Sequence, residues 1–314
     1  MKFRSDPQSL RGSIGAVVTP FAEDGSLDVA SLVSLARWQR DAGSHGLSVG
    51  GSTAEPSAQT NEERRRAIEA VAAVTNDEIA FLPAAGTTKL DETMELTAIA
   101  GDAGADAVLV ITPYYAKPTQ KGLFNWYGAI AREFPDLPIV IYNVPTRTAV
   151  DIAPQTVAEL NRRFDNIVGI KETTKDFEHF SQVANATGRE FMIWSGIELL
   201  GIPLLALGGA GFISALSNLA PRSLTEMYEH WDAGRLEEAR EIHYRVHPLV
   251  DLLFVETNPA PAKWVLHRNG RISSPYVRPP LSPISPAGEK RILELMAEAE
   301  PVLRHEGLGE GVAA

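Results

Sequence analysis

The stretch IVGIKETTKDFEHFSQVANATG (167–188) contains one complete strand-and-helix unit. Residues 167–170 are β-branched apolar residues and one glycine, which predicts a buried strand that ends on Lys171. A helical pattern over 176–188 follows, with Asp176 at its start. A lysine at the end of an apolar strand is unusual, because burial of an unpaired ammonium is costly.

Seven further apolar, β-rich runs recur along the chain, and most of them end in glycine, proline or polar residues. With the first stretch they predict strands over 13–20, 46–51, 79–86, 107–113, 138–145, 167–172, 191–196 and 210–216. Amphipathic segments between them predict helices over 28–43, 60–75, 89–104, 119–134, 153–164 and 176–188. Asp28 is a predicted N-cap, and Thr60 with Glu63 forms a predicted capping box.

Strands and helices that alternate in this order predict right-handed βαβ units and a parallel sheet. Eight repeats over roughly 220 residues match an α/β fold, the (β/α)8 TIM barrel, whose usual size is about 250 residues. A doubly wound open sheet is the competing architecture, but no G-x-G-x-x-G follows the first strand. We therefore expect a barrel over residues 1–221, including a short N-terminal lead-in.

The strand pattern stops after Pro221. Helical patterns follow, over 222–234, 236–256, 259–269 and 286–304. We expect residues 222–314 to form a C-terminal helical extension packed on the barrel, with a flexible tail after about residue 306.

The net charge of −11 argues against nucleic-acid and anionic membrane partners, which need a basic footprint. The chain has no cysteine, which excludes disulfides and thiolate metal sites. Its apolar runs are shorter than the ~18–20 residues that span a bilayer. The N-terminal residues lack the apolar region of a secretory signal, so we expect a cytoplasmic protein.

The chemistry of such barrels lies at the carboxyl ends of the strands. Those ends carry hydroxyls, phenols, one amine and, just beyond a strand, one guanidinium: Ser52, Thr53, Tyr114, Tyr115, Tyr142, Arg147, Lys171, Ser195 and Ser214. No histidine lies at a predicted strand end, which disfavours a histidine metal site or a Ser-His-Asp triad there.

A lysine with phenol neighbours points to imine chemistry, because a desolvated lysine can attack a ketone as the free amine. The imine then accepts electrons from the adjacent carbon, and phenols relay the protons.

Each residue also has a structural interpretation. Lys171 can be a solvated rim residue or the ion-pair partner of Glu172, and Tyr142 can be a core phenol.

Several segments together resemble the dihydrodipicolinate synthase / N-acetylneuraminate lyase family of Schiff-base 2-oxo acid lyases, and the synthases in particular. The motifs that carry the resemblance are GGSTAEPSAQTNEER (50–64), ITPYYAKPTQKGL (111–123), IYNVPTRT (141–148), IVGIKETTKD (167–176) and NPAPAKWVL (258–266). The resemblance covers about residues 12 to 300 and implies a (β/α)8 lyase without a metal or organic cofactor.

The resemblance also implies roles for individual residues. Lys171 would form the imine with pyruvate or another 2-oxo acid, and Tyr142 would be the general acid/base. Thr53, Tyr142 and Tyr115 would form a proton relay, with Tyr115 contributed by a neighbouring subunit of a homotetramer, a dimer of dimers. Ser52 and Thr53 would bind the 2-oxo acid carboxylate. The Ile213 carbonyl would face the lysine.

Arg147 distinguishes members of this family, because in the synthases that arginine binds the carboxylate of aspartate semialdehyde. We therefore expect condensation of pyruvate with aspartate semialdehyde to 4-hydroxytetrahydrodipicolinate, a step of lysine biosynthesis. Ala54, Pro56 and Ile197 depart from the synthase pattern. They leave open another 2-oxo acid aldolase or dehydratase that acts on sugar acids or catabolic substrates. A third hypothesis is a barrel that serves only in binding or regulation.

Overall fold

The computed structural model describes residues 6–309 of the 314-residue chain. Its eight strands are β1 Gly12–Ala16, β2 Gly46–Ser48, β3 Ala80–Phe81, β4 Val108–Ile111, β5 Ile139–Asn143, β6 Ile167–Glu172, β7 Met192–Ser195 and β8 Gly211–Ser214. The first eight helices are α1 Val29–Asp41, α2 Asn61–Thr75, α3 Leu90–Asp102, α4 Gln120–Glu133, α5 Pro145–Thr148, α6 Pro154–Arg163, α7 Phe177–Thr187 and α8 Gly201–Ala206. The last six are α9 Pro221–Asp232, α10 Leu236–Arg245, α11 His247–Leu253, α12 Ala260–Arg268, α13 Pro286–Glu298 and α14 Glu300–His305.

All eight strands belong to one sheet, and helices alternate with them along the chain. Strands β4 to β8 are parallel neighbours in chain order, and a parallel bridge between Ala84 and Leu109 links the chain after β3 to β4. This order has no reversal of the kind that defines a doubly wound sheet. The predicted (β/α)8 barrel with C-terminal helices is therefore confirmed.

The chain divides into two compact units. The first comprises Ala80–Ile213 with the N-terminal segment up to Arg11. Its core strands are buried on both faces: Val108, Val140 and Ile170 are each fully buried, as expected for a parallel sheet covered by helices.

The second unit comprises Gly12–Ile79 and the described residues from Ser214 onward. Strands β1 and β2 are parallel, with Ile14 opposite Gly46. The predicted caps are present: Asp28 accepts a hydrogen bond from the Ser31 amide (2.9 Å), and Thr60 and Glu63 form a capping box at the start of α2. The domain boundary that the sequence predicts near residue 221 remains a proposal.

Two of the predicted C-terminal helices are each divided in two. The pattern over 236–256 corresponds to α10 and α11, and the pattern over 286–304 corresponds to α13 and α14. A proline lies in the first turn of each second helix, Pro248 and Pro301. Proline is accepted there but interrupts a continuous helix, which explains both breaks.

The described residues include no helix that is both long and apolar enough to cross a bilayer.

Glu306 is buried and accepts hydrogen bonds from the backbone amides of Arg222 (3.0 Å) and Ser223 (2.8 Å) at the start of α9. Residues 310–314 of the predicted flexible tail lie outside the described residues.

Candidate active site

Lys171 and Tyr142 lie side by side near the carboxyl ends of two neighbouring strands. Tyr142 of β5 is directly opposite Lys171 of β6 in the parallel register. The Lys171 Nζ lies 4.4 Å from the centre of the Tyr142 ring, and the two residues are only 7% and 4% exposed. The ring face contacts the lysine head group, and burial keeps both side chains out of bulk solvent, so a small molecule that reaches the lysine amine would also meet the Tyr142 ring.

The neighbouring carboxylate, Glu172, points away from this pair because side chains alternate along a strand. Both of its carboxylate oxygens lie 3.1 Å from the Asn143 Nδ2, and Oε1 also accepts from the Thr174 amide (2.9 Å). Lys171 forms no ion pair with any carboxylate of residues 6–309. The interpretation of Lys171 as the ion-pair partner of Glu172 is therefore wrong.

Gly196, just after β7, provides the space that the Lys171 side chain occupies. A Cβ at Gly196 would lie 2.6 Å from the Lys171 Cε and 2.2 Å from the Thr173 Cγ2. Contacts this short would displace the Thr173 and Lys171 side chains, so a glycine at position 196 is needed to keep the lysine where it is. Ile213, whose carbonyl the family resemblance predicts to face the lysine, is fully buried in β8, and that role stays a prediction.

Arg147 lies on the short helix α5, just beyond β5, and its side chain is exposed. Within residues 6–309 its guanidinium forms no ion pair or hydrogen bond. Two hydrogen bonds join the ends of the segment 143–152 that carries it. The Asn143 Nδ2 donates to Asp151 Oδ1 (2.7 Å), and the Ile152 amide donates to Asn143 Oδ1 (3.3 Å). The structure thus presents a fixed backbone with a free guanidinium.

Tyr115 differs from the other predicted residues in its exposure. Its side chain is 93% exposed, the largest value among the large hydrophobic and aromatic residues described. Its φ of 69° lies in the left-handed region, which is uncommon for a bulky residue. Non-glycine residues held in this backbone region cluster at active sites, ligand clamps and switch regions.

Ser52 and Thr53 lie in the second unit, in the short 3₁₀ turn Ser52–Ala54. The Thr53 Oγ1 accepts a hydrogen bond from the Asn258 Nδ2 (3.1 Å). Glu55 ends the turn with φ 57°, and its buried carboxylate lies 2.6 Å from the Lys263 Nζ. The amide of Arg278 donates to the second oxygen of Glu55 (2.9 Å).

Comparison with known proteins places these residues in a family. The model of the Dihydrodipicolinate synthetase family matches residues 9–299. The chain belongs to the dihydrodipicolinate synthetase family. The family predicted from the sequence motifs is therefore confirmed.

Individual relatives agree with this assignment. The 4-hydroxy-tetrahydrodipicolinate synthase of Thermus thermophilus is 43% identical over 296 residues, which cover 94% of this chain and 98% of the relative. The solved 4-hydroxy-tetrahydrodipicolinate synthase of Methylacidiphilum fumariolicum has a TM-score of 0.90 at 33% identity, covering 97% of this chain and 99% of that one. The chloride-inhibited dihydrodipicolinate synthase of Acinetobacter baumannii, solved with pyruvate, has a TM-score of 0.88 at 36% identity, covering 92% and 99%.

Three residues that contact predicted strand-end residues were not predicted from sequence: His179, which contacts Glu172, Asn258, which contacts Thr53, and Lys263, which contacts Glu55. Asn258 and Lys263 lie more than 200 residues from their partners in the 52–55 turn. Their only sequence signal is the segment NPAPAK (258–263), which contributed to the resemblance without an assigned role.

His179 of α7 contacts β6 on the side opposite Lys171, through Glu172. Its Nε2 lies 3.2 Å from the Glu172 Oε2, and both side chains are buried. Burial lowers the pKa of His179, but pairing with Glu172 and the charges of Asp151 and Asp176 outweigh it, so the pKa is raised above its usual value. The His179–Glu172 pair therefore stabilises the fold fully below the unfolded pKa, about 6.5, and the stabilisation is lost as pH rises through the folded pKa.

We expect His179→Gln to lower the free energy of unfolding by roughly 1 kcal/mol at pH 6, because the close charge pair with Glu172 is lost. The difference from the unsubstituted protein should shrink at pH 8.5. Urea denaturation at both pH values measures it. His45→Gln is a control of opposite sign. Burial lowers the pKa of His45, so the contribution of this histidine to the free energy of unfolding falls as the pH falls. A His179 effect that is equal at both pH values would contradict the charged pair.

Proposed function

We propose that this chain is a 4-hydroxy-tetrahydrodipicolinate synthase that joins pyruvate to aspartate semialdehyde through an imine at Lys171. The observation that carries the proposal is the buried Lys171 amine, which lies on the Tyr142 ring and has no carboxylate partner among residues 6–309. A lysine that served only in a structural ion pair would have such a partner. The printed name of the relatives supports the same activity.

The proposed reaction begins when the free amine of Lys171 attacks C2 of pyruvate. Water leaves and an imine forms, and loss of a C3 proton gives an enamine. The enamine carbon attacks the aldehyde carbon of aspartate semialdehyde, which forms the new carbon–carbon bond. The amino group of the semialdehyde then displaces the Lys171 Nζ at C2, so that the ring closes and the lysine is released.

Tyr142 is proposed as the general acid/base, because its ring is in contact with the amine at which protons must be exchanged. Thr53 and Tyr115 would complete the relay, and Ser52 and Thr53 would bind the carboxylate of pyruvate. These roles rest on the likeness of their motifs to the family. The Ile213 carbonyl is proposed to face the lysine on the same basis.

Arg147 is proposed to bind the carboxylate of aspartate semialdehyde. The exposed guanidinium on an anchored segment supports this role, because its planar fork can bind a carboxylate bidentately. The exposed, strained Tyr115 supports its placement in a contact between subunits. We accordingly propose a homotetramer built as a dimer of dimers, acting in the cytoplasm.

The test of the function is a pair of assays on the purified protein. Borohydride treatment with pyruvate should give a mass adduct on Lys171. A coupled assay with pyruvate and aspartate semialdehyde should give turnover. An adduct without turnover on the semialdehyde would favour the second candidate, an aldolase or dehydratase for other substrates, to which the departures at Ala54, Pro56 and Ile197 point. Absence of any adduct would refute the imine mechanism.

We expect Tyr142→Phe to lower kcat by about 10²–10³-fold, within the usual range for loss of an acid/base group. The final amount of borohydride adduct on Lys171 should stay near that of the unsubstituted protein, because the ring beside the amine is kept. Tyr127→Phe is the matched control. Tyr127 is a buried phenol that donates to the Val110 carbonyl (3.0 Å), so this change should affect stability and leave kcat unchanged. Near-normal turnover in Tyr142→Phe would exclude the proposed role.

A further inference from the structure

Asn258 makes a side-chain contact with Thr53 that the catalytic roles above do not use. Its Nδ2 donates to the Thr53 Oγ1 at 3.1 Å, and the two residues are 6% and 7% exposed. Asn258 lies two residues before the first residue of α12, 205 residues from Thr53 in the sequence. The contact is therefore formed only when the C-terminal segment folds against the turn 52–54.

The direction of this hydrogen bond has a chemical consequence. A hydroxyl group has one hydrogen and two acceptor positions. The amide N–H of Asn258 occupies one acceptor position of Thr53, so the hydroxyl hydrogen points away from Asn258. The Thr53 oxygen can then donate its own proton to a different acceptor, as a member of a proton relay must.

We propose that Asn258 is a positioning residue that orients the Thr53 hydroxyl for proton transfer. This inference rests on the proposed function, in which Thr53 belongs to the relay. Asn258 acts through Thr53 and is not itself assigned a contact with substrate.

The side-chain carbonyl oxygen of Asn258 argues against a purely structural role for this residue. Its Oδ1 is buried without a hydrogen-bond partner among residues 6–309. A buried, unsatisfied acceptor costs stability, and a leucine of similar size would avoid that cost. Stability alone therefore does not explain an asparagine at this position, whereas orientation of Thr53 does.

The same C-terminal segment also holds the other end of the turn. Lys263 lies in α12, and its Nζ is 2.6 Å from the Glu55 Oε1, with side-chain exposures of 0% and 2%. Glu55 ends the turn in the left-handed region (φ 57°). Asn258, just before α12, and Lys263, within it, thus contact both ends of the turn, which is how a reacting group is held in place.

A double-mutant cycle tests the inference. Asn258→Leu should lower kcat about tenfold, leave the KM for pyruvate nearly unchanged, and leave Tm unchanged or higher. In a Thr53→Val background, Asn258→Leu should cause no further loss of kcat, because the group it orients is gone. Equal loss of kcat in both backgrounds would overturn the inference, as would normal kcat in Asn258→Leu.

Asn258→Asp reverses the polarity of the contact at nearly constant size. The Thr53 hydroxyl would then donate to the carboxylate and lose its proton for the relay, so kcat should fall further than in Asn258→Leu. A structural role predicts the opposite order for kcat among the folded variants, because aspartate is closer in shape. If Asn258→Asp does not fold, the cycle with Asn258→Leu decides alone.

Two further measurements complete the design. Asn269→Leu is the control, because the Asn269 amide at the far end of α12 donates to the Val265 carbonyl (2.9 Å), and kcat should be unchanged. The borohydride adduct with pyruvate separates the two proposals. Without an adduct in the unsubstituted protein, the proposed function fails and the inference fails with it. With an adduct and normal kcat in Asn258→Leu, only the inference fails.

Discussion

Lys171→Ala is expected to abolish the borohydride adduct with pyruvate and to lower kcat by at least 10⁴-fold, because the variant has no amine to form the imine. The fold should persist. Lys171 is the fifth residue of β6, and the buried Ile167 and Ile170 that anchor this strand are unchanged. Loss of the ammonium from the Tyr142 ring removes about 2 kcal/mol, the value for a desolvated cation–π contact. Mass spectrometry after reduction and far-ultraviolet circular dichroism measure the two effects.

Lys175→Ala is the matched control, since Lys175 is an exposed lysine four residues further along the same segment. It should retain the adduct and the turnover. An adduct of equal yield in Lys171→Ala would place the imine on another lysine. A variant that fails to fold would instead mean that Lys171 is structural.

The barrel could be predicted from sequence because its local signals agree with one another. The run IVGIKE predicts the strand 167–172, and the structure has β6 at Ile167–Glu172. The Thr60–Glu63 capping box predicts the start of α2 correctly to within one residue. The two divided C-terminal helices were not predicted, because amphipathic patterns continue across Pro248 and Pro301 while the backbone does not.

The candidate site was predictable only in part, for a reason of geometry. Lys171 and Tyr142 can be paired from sequence, because parallel strands place their carboxyl ends together. The contacts of Asn258 with Thr53 and of Lys263 with Glu55 cannot be predicted in this way. Each pair is separated by more than 200 residues, and no local sequence pattern indicates that its two members will meet. His179 was missed for a related reason. Alternation along β6 sends Glu172 to the opposite face from Lys171, toward α7.

Lys263→Met is expected to have the largest effect on stability of any substitution considered for this chain. Lys263 and Glu55 form a buried ion pair at 2.6 Å, and the Lys263 Nζ also lies 4.3 Å from the centre of the Phe21 ring. Burial lowers the pKa of Lys263 to about 8, although the Glu55 carboxylate opposes the shift. Removal of the lysine would leave the buried Glu55 carboxylate without its ion-pair partner, and the Arg278 charge that also acts on Glu55 forms no ion pair with it. Breaking a buried pair by removing one partner typically costs about 3–5 kcal/mol.

The double variant Glu55→Gln/Lys263→Met distinguishes this cause from simple loss of packing. It removes both charges, and the Gln carbonyl can still accept from the Arg278 amide, so most of the lost stability should return. Arg291→Met is the control, because the Arg291–Glu294 pair is about half exposed and such pairs contribute about 0–1 kcal/mol. Urea denaturation of the three variants gives the free energies. If the double variant were as unstable as Lys263→Met, the unpaired carboxylate would not be the cause, and the methylene packing of Lys263 would be.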